Sequence, residues 1–327
     1  MKAVTFVQPG GPEVLRLEEL PPPEPGPREV LVQVHAAALN RADVLQRRGL
    51  YPPPPGASDI LGLECSGVVA GLGTGASRFP LGARVMALLP GGGYAEQVVV
   101  PEEVLLAVPE RLSLKQAAAV PEAFLTASEA LLVEAELVAG QCVLITAAAS
   151  GVGSAAVQIA AHRGAFVIAS ASRDKLPALV ELGADVTLER DDPGYVDAVR
   201  AASHGRGVDA IIDFIGGSAL ARHQQCLAPR GRLVLIGMLG GTSAPLDLSR
   251  IVMKRQRIHG LVMRSRSLDE KAELTRRFEE QLWPALDAGA LSPRVDRVFA
   301  LSEVAEAHRY MEQNSNTGKI VLRIGQA

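Results

Sequence analysis

Small residues crowd one turn of this chain. Within Cys142–Ala161, CVLITAAASGVGSAAVQIAA, a short apolar run at Val143–Thr146 leads through Ala147–Gly153. Beyond it, Ala155, Val157, Ile159 and Ala160 are spaced for one side of a helix. A strand, a tight small-residue turn and a helix form a phosphate-binding corner. The backbone comes close to a pyrophosphate, and the N–H groups and dipole of the helix N-terminus favour its charge. Ala149, Ser150, Gly151, Val152 and Gly153 are the residues expected to hold it. Two registers fit. Gly151-x-Gly153-x-x-Ala156 matches the dinucleotide fingerprint literally, whereas Ala148-x-Ser150-x-x-Gly153 starts the turn nearer the strand end and is preferred. A plain strand–helix packing corner has the same composition. A membrane helix is disfavoured because Gly, Ser and Gln interrupt the uncharged run.

The next strand, Phe166–Ala169, is followed by Ser170-Ala171-Ser172-Arg173-Asp174-Lys175. An NAD site usually carries an acid here to bond the ribose hydroxyls. Hydroxyls and two cations suit a 2′-phosphate instead, so Ser172, Arg173 and Lys175 point to NADPH. Asp174 opposes that assignment unless it complements a helix dipole. Arg190, after the third strand, is a further phosphate candidate. The cluster Glu189–Asp192 reads equally well as a solvated turn.

These residues require elements to position them. The 327 residues suffice for two domains, and 48% hydrophobic with 21% charged residues fits a globular enzyme. A net charge of −3 offers no electrostatic reason to bind nucleic acid or an anionic membrane. The N-terminal MKAVTFVQPGG has no apolar signal core, and the three cysteines are far apart, which fits a reducing cytoplasm. The first ~120 residues read as β-rich, with strands at Ala3–Val7, Val30–Ala37, Cys65–Ala70, Arg84–Leu88 and Tyr94–Val100. Helices follow at Ser113–Ala119 and, after Pro121, through Leu132. Strands and helices then alternate. Strands are expected at Cys142–Thr146, Phe166–Ala169, Val186–Leu188, Ala210–Phe214, Arg232–Ile236 and Arg257–Val262. Helices are expected near Gly151–His162, Arg173–Leu182, Tyr195–Ala202 and Ala219–Leu227. Six such strands form two mononucleotide halves of a parallel sheet. Two helices, Leu268–Ala288 and Ser302–Met311, and a strand, Lys319–Ile324, end the chain.

Longer motifs narrow the reading. Gly10-Gly11-Pro12-Glu13, Ala38–Ser58, Ile60–Gly67, Ala87–Pro101 and Ala117–Ala127 occur in that order. Ser150–Gly153, the stretch from Gly237, Met263–Ser267 and Asn316–Leu322 follow. On these the chain resembles the medium-chain dehydrogenase/reductase superfamily, and within it the zinc-free quinone oxidoreductases, especially the p53-inducible type. The resemblance implies an α/β fold: a Rossmann doubly wound parallel sheet domain, 124–262, inserted into a GroES-like β-rich catalytic domain formed by 1–123 and 263–327. It also implies an active site in the cleft between them. Zinc-dependent relatives carry a Cys at the position of Asn40 and a His before Glu64, and their four-cysteine lobe has no counterpart here. No metal is therefore expected.

Hydride transfer without a Lewis acid needs another electrophile, and a quinone or enone delocalises the developing charge. Tyr51, in a loop stiffened by Pro52–Pro55, is the candidate donor, with loop packing as its plain alternative. Asn40 is the second catalytic candidate, bonding the substrate or the nicotinamide ribose, or else capping the helix Arg41–Gln46. Asp43 and Arg48 would pair on that helix or help position the substrate. Glu64 and Glu122, in apolar settings, read as hydrogen-bonded structural acids. Thr126 would bond the nicotinamide amide or simply cap the linking helix, and Met238, Leu239 and Gly240 would pass beneath the ring. The expected activity is NADPH:quinone reduction; the alternatives are alkenal or enoyl reduction, or an NADPH-binding sensor. The apolar strand Ile258–Val262 suggests a homodimer or a tetramer.

Overall fold

The computed structural model describes residues 1–325. The chain divides into two compact units, Met1–Leu125 with Met263–Ala327, and Thr126–Val262. In the first segment lie β1 (Lys2–Thr5), β2 (Arg16–Glu19), β3 (Glu29–Ala38), α1 (Arg41–Arg47), β4 (Glu64–Leu72), β5 (Arg84–Leu88), β6 (Gln97–Pro101), β7 (Leu105–Ala107) and α2 (Leu114–Ala117). The helix α3 (Pro121–Ser128) contains the division between the units. Then come β8 (Cys142–Ile145), α4 (Gly151–His162), β9 (Phe166–Ala171), α5 (Leu176–Glu181), β10 (Val186–Glu189), α6 (Tyr195–Ala202), β11 (Val208–Asp213), α7 (Leu220–Cys226), β12 (Leu227–Leu235), α8 (Leu248–Lys254) and β13 (Arg257–Gly260). The return segment holds α9 (Leu268–Gln281), α10 (Trp283–Asp287), β14 (Val295–Ala300), α11 (Val304–Glu312) and β15 (Lys319–Arg323).

In the second unit the six strands run in the order β10-β9-β8-β11-β12-β13, all neighbours parallel. This is the doubly wound arrangement, in which the order reverses between β8 and β11. Its central strand β8, CVLI, is buried throughout, because a parallel sheet has helices on both faces. In the first unit seven strands form a mixed sheet, β14-β15-β3-β4-β5-β7, with β6 on β3. Alternation along β3 is nearly strict: Val30, Val32 and Val34 are buried and Leu31, Gln33 and His35 less so. Those valines join Cys65, Val85, Val100, Leu105 and Leu322 in the core of this unit.

Prolines explain two departures from the expected helices. The helix expected over Leu268–Ala288 breaks at Leu282, because Pro284 has no N–H to continue the ladder. The one expected over Arg173–Leu182 opens as a 3-10 turn, Arg173–Lys175, because Pro177 cannot bond back to Arg173. The helix expected through Leu132 ends at Ser128 and continues as a π-turn, Glu129–Glu134. Among the described residues no helix is long and apolar enough to cross a membrane.

Candidate active site

The first unit holds a buried polar centre where β3 passes into α1. Asn40 stands extended at the helix start, and its backbone N–H donates to Asp43 Oδ2 at 2.7 Å. Its side chain does not cap the helix. Nδ2 donates to Glu64 Oε1 at 3.0 Å and to the Ala38 carbonyl at 3.3 Å, while Oδ1 accepts from Lys319 Nζ at 2.6 Å. An ammonium only donates, so Lys319 fixes which amide atom is the oxygen. Both amide N–H groups are thus taken, and Asn40 keeps only acceptor capacity on Oδ1. Lys319 also pairs with Glu64 Oε1 at 2.5 Å and donates to the Leu39 carbonyl. The other Glu64 oxygen accepts the Glu122 N–H at 2.9 Å. Both Glu64 and Lys319 are buried.

Asp43 is fully buried and accepts from Gly62 N–H at 3.0 Å and Tyr94 O–H at 3.1 Å as well as from Asn40. Burial raises its carboxyl to about 6, against the opposing pull of the two backbone donors. The expected Asp43–Arg48 pair does not form: Arg48 reaches Glu312 at 2.6 Å instead, since Asp43 points inward. Glu64 has the expected hydrogen-bonded role, but Glu122 does not. Among the described residues nothing bonds its side chain, and burial, reinforced by the Glu64 carboxylate, pushes it up to about 8.

Tyr51 is half-buried, and its phenol makes no hydrogen bond among the described residues. Arg264 lies over its ring, 5.3 Å from guanidinium carbon to centroid. Burial raises the Tyr51 phenol above its usual value, with Arg264 opposing and Glu122 adding to the rise.

The residues do not fit a catalytic zinc. Among those described, no three His, Cys, Asp or Glu converge to hold a metal. Asn40 and Glu64 instead close on the Lys319 ammonium, a fixed cation where a metal would need anionic ligands. The neighbouring Cys65 thiol is fully buried, and burial with the Glu64 carboxylate pushes it up to about 12.

The second unit carries a different site. Ser150 caps α4, its Oγ accepting from Gly153 N–H at 3.0 Å. A Cβ at Gly153 would lie 2.5 Å from the Ala147 carbonyl and 2.7 Å from Ala148 Cα. Gly153 is thus the glycine of close helix–strand packing, which selects the register Ala148-x-Ser150-x-x-Gly153. Among the described residues the N–H groups of Ala149, Gly151 and Val152 have no acceptor. Three unpaired donors at the start of a twelve-residue helix suit a pyrophosphate.

Thr126 Oγ1 is buried with no partner among the described residues, an orphan of the kind a carboxamide would satisfy. Beyond β12, Gly240 N–H donates to the Ile215 carbonyl at 2.7 Å. Gly217, at φ +51°, approaches so closely that its Cβ would lie 2.0 Å from the Gly240 carbonyl. These loops end adjacent strands, and Met238 and Leu239 stand exposed there, 57% and 55%.

Ser172, Arg173, Lys175 and Arg190 gather at the ends of β9 and β10, but not as free cations. Arg173 is held by Glu189 at 2.8 Å, and Arg190 by Asp191 at 3.0 Å. Ser172 bonds Asp174, which lowers that carboxyl. The Arg173–Glu189 pair follows from strand register, since Glu189 stands opposite Ala171. Arg264 and Lys319 were not singled out from the sequence as functional. Both lie inside its motifs, Met263–Ser267 and Asn316–Leu322, and only burial reveals their chemistry.

Two family models match the chain: the alcohol dehydrogenase GroES-like domain over residues 26–110 and the zinc-binding dehydrogenase domain over 151–280. A quinone oxidoreductase of Pseudomonas aeruginosa is 33% identical over 98% of this chain and 99% of its own. The synaptic vesicle membrane protein VAT-1 homolog of Rattus norvegicus is 32% identical over 96% of this chain and 81% of its own. Among solved structures, an NAD-dependent alcohol dehydrogenase is 34% identical at a TM-score of 0.88, covering 99% of this chain and 100% of that one. A Pseudomonas syringae quinone oxidoreductase is 30% identical at 0.88, covering 98% and 99%. A mycobacterial protein complexed with NADPH is 28% identical at 0.89, covering 99% and 100%. With its doubly wound sheet and its mixed GroES-like sheet, the chain belongs to the medium-chain dehydrogenase/reductase superfamily and is an oxidoreductase.

Proposed function

We propose that the chain is an NADPH-dependent quinone oxidoreductase that works without a metal. The observation that carries this reading is the Tyr51 phenol, unbonded among the described residues, in the same unit as a buried polar centre whose cation is the Lys319 ammonium. The N–H groups of Ala149, Gly151 and Val152 bind the pyrophosphate, and Ser150 orients the cap. Thr126 Oγ1 bonds the carboxamide, the Met238–Gly240 backbone lines the ring, and Asn40 Oδ1 accepts from a ribose hydroxyl. When bound, NADPH supplies the hydride. Tyr51 donates a hydrogen bond to the acceptor carbonyl as negative charge develops there, which favours conjugated acceptors able to spread that charge. NADPH oxidation should proceed with a panel of quinones after exhaustive dialysis against EDTA, with much less than one zinc per chain by elemental analysis. Faster turnover of enals than of quinones would reassign the substrate class, no turnover would leave a binding protein, and activity lost together with stoichiometric zinc would overturn metal independence.

Cofactor choice rests on Ser172, Arg173, Lys175 and Arg190. The Glu189 partner of Arg173 does not forbid a phosphate. That pair is exposed, and exposed pairs contribute only about 0–1 kcal/mol. A 2′-phosphate carries more negative charge than one carboxylate and accepts the guanidinium fork bidentately, so the guanidinium should change partners. NADPH should bind at least about tenfold more tightly than NADH. Replacing Arg173 and Lys175 by Ala should remove most of that preference and leave NADH nearly unaffected. Fluorescence titration of both cofactors measures this, and equal native affinities would reject the assignment.

A further inference from the structure

Arg264 is 4% exposed, yet among the described residues no carboxylate bonds it. Nε donates to the Pro90 carbonyl at 2.8 Å, one terminal nitrogen to Gln46 Oε1 at 2.6 Å, and the other to the Tyr51 carbonyl at 3.4 Å. These acceptors belong to three separate segments: the end of α1, the proline loop and the glycine turn before Tyr94. A buried guanidinium whose hydrogen bonds all go to neutral acceptors is expensive, because the carboxylates that act on it, Asp43 and Glu122, do so without bonding it. A core arginine kept only for structure would normally have an acid, as fully buried Arg47 has Glu312 at 2.5 Å. Arg264 has instead the face of an aromatic ring, within the ~6 Å range of cation–π attraction.

We propose that Arg264 is a positioning residue: its fork fixes the Tyr51 loop, and its charge over the ring strengthens the phenol as a hydrogen-bond donor to the substrate oxygen. This rests on the reading of Tyr51 as the substrate-facing donor. A cation at the ring favours negative charge moving onto the phenol oxygen, so the O–H is a better donor as the acceptor gains charge. The groups acting electrostatically on Tyr51 are Arg264 and Glu122, and Asp43 and Glu122 also act on Arg264. Lys271 donates to the Arg264 carbonyl, adding a second cation behind it rather than an acid.

The test reads the phenol directly. Fluorotyrosine placed at Tyr51 reports its titration by fluorine NMR, without cofactor or quinone. Arg264→Met should move that titration upward, and Arg264→Lys, which keeps the charge, should move it less. Arg264→Met should also lower kcat about tenfold with little change in KM. In a Tyr51→Phe background the same change should cost less than about twofold, because the donor it acts through is gone. Arg264→Gln, which keeps hydrogen bonding without charge, serves if the Met variant does not fold. An unshifted phenol in a folded Met or Gln variant, or a full additional loss in the Phe background, would overturn the proposal. A shifted phenol without quinone turnover would leave it standing and overturn the substrate assignment alone.

Discussion

Replacing Lys319 by Met should destabilise the first unit by about 3–5 kcal/mol, the usual result of removing one partner from a buried ion pair. Lys319 and Glu64 are 4% and 0% exposed, and they meet at 2.5 Å across β3, which lies between their strands. Without the ammonium, Glu64 keeps only the Asn40 amide and the Glu122 N–H, and Asn40 Oδ1 loses its donor. A buried carboxylate left without its cation is an uncompensated charge out of water, which costs stability. Urea unfolding should show a lower midpoint with an unchanged slope. Adding Glu64→Gln should recover much of the loss, because the stranded charge is gone. If the single variant loses less than about 1 kcal/mol, the pair is not holding this centre together.

The same centre shows why the sequence was legible in one part and opaque in another. Elements that bury one face repeat their apolar residues at the period of the backbone. Gly151–His162, Tyr195–Ala202 and Arg84–Leu88 therefore have the bounds read from sequence. Elements without a buried face carry no such signal. In α8 Val252 and Met253 are exposed, 70% and 80%, and no helix was expected there. β14, bonded to a single neighbour, exposes Asp296, Arg297 and Val298 and was also missed. Among site residues, the turn at Ala149–Gly153 was visible because close approach limits residue size. Asn40 was visible as polar residues at a helix start are, but its role was not. Whether its amide caps or reaches outward depends on Lys319, which arrives from β15 at the far end of the sequence. Arg264 was hidden for a similar reason, since an arginine in a serine-rich stretch reads as surface until its burial is known.

Tyr51→Phe should lower kcat about ten- to a hundredfold with little effect on NADPH affinity, because the donor lost acts only when charge develops on the substrate oxygen. The phenol is suited to this. It spends no hydrogen bond on the described residues, and burial moves its titration further above the usual phenol range. The ring is held by Arg264 from one side and Pro52–Pro55 limit the loop, so Phe should keep the loop's conformation. A kinetic loss in the Phe variant can then be assigned to the oxygen atom. If the ring only stacks on a planar acceptor, Phe should be nearly silent and Tyr51→Ala should raise KM. If Tyr51 only packs its loop, Ala should lower Tm without a selective kinetic effect. Steady-state kinetics on both variants, with melting curves alongside, separate these outcomes. Unchanged kcat and KM in both would remove Tyr51 from the reaction. Asn40 could not replace it as donor, because both of its amide N–H groups are already committed to Glu64 and the Ala38 carbonyl.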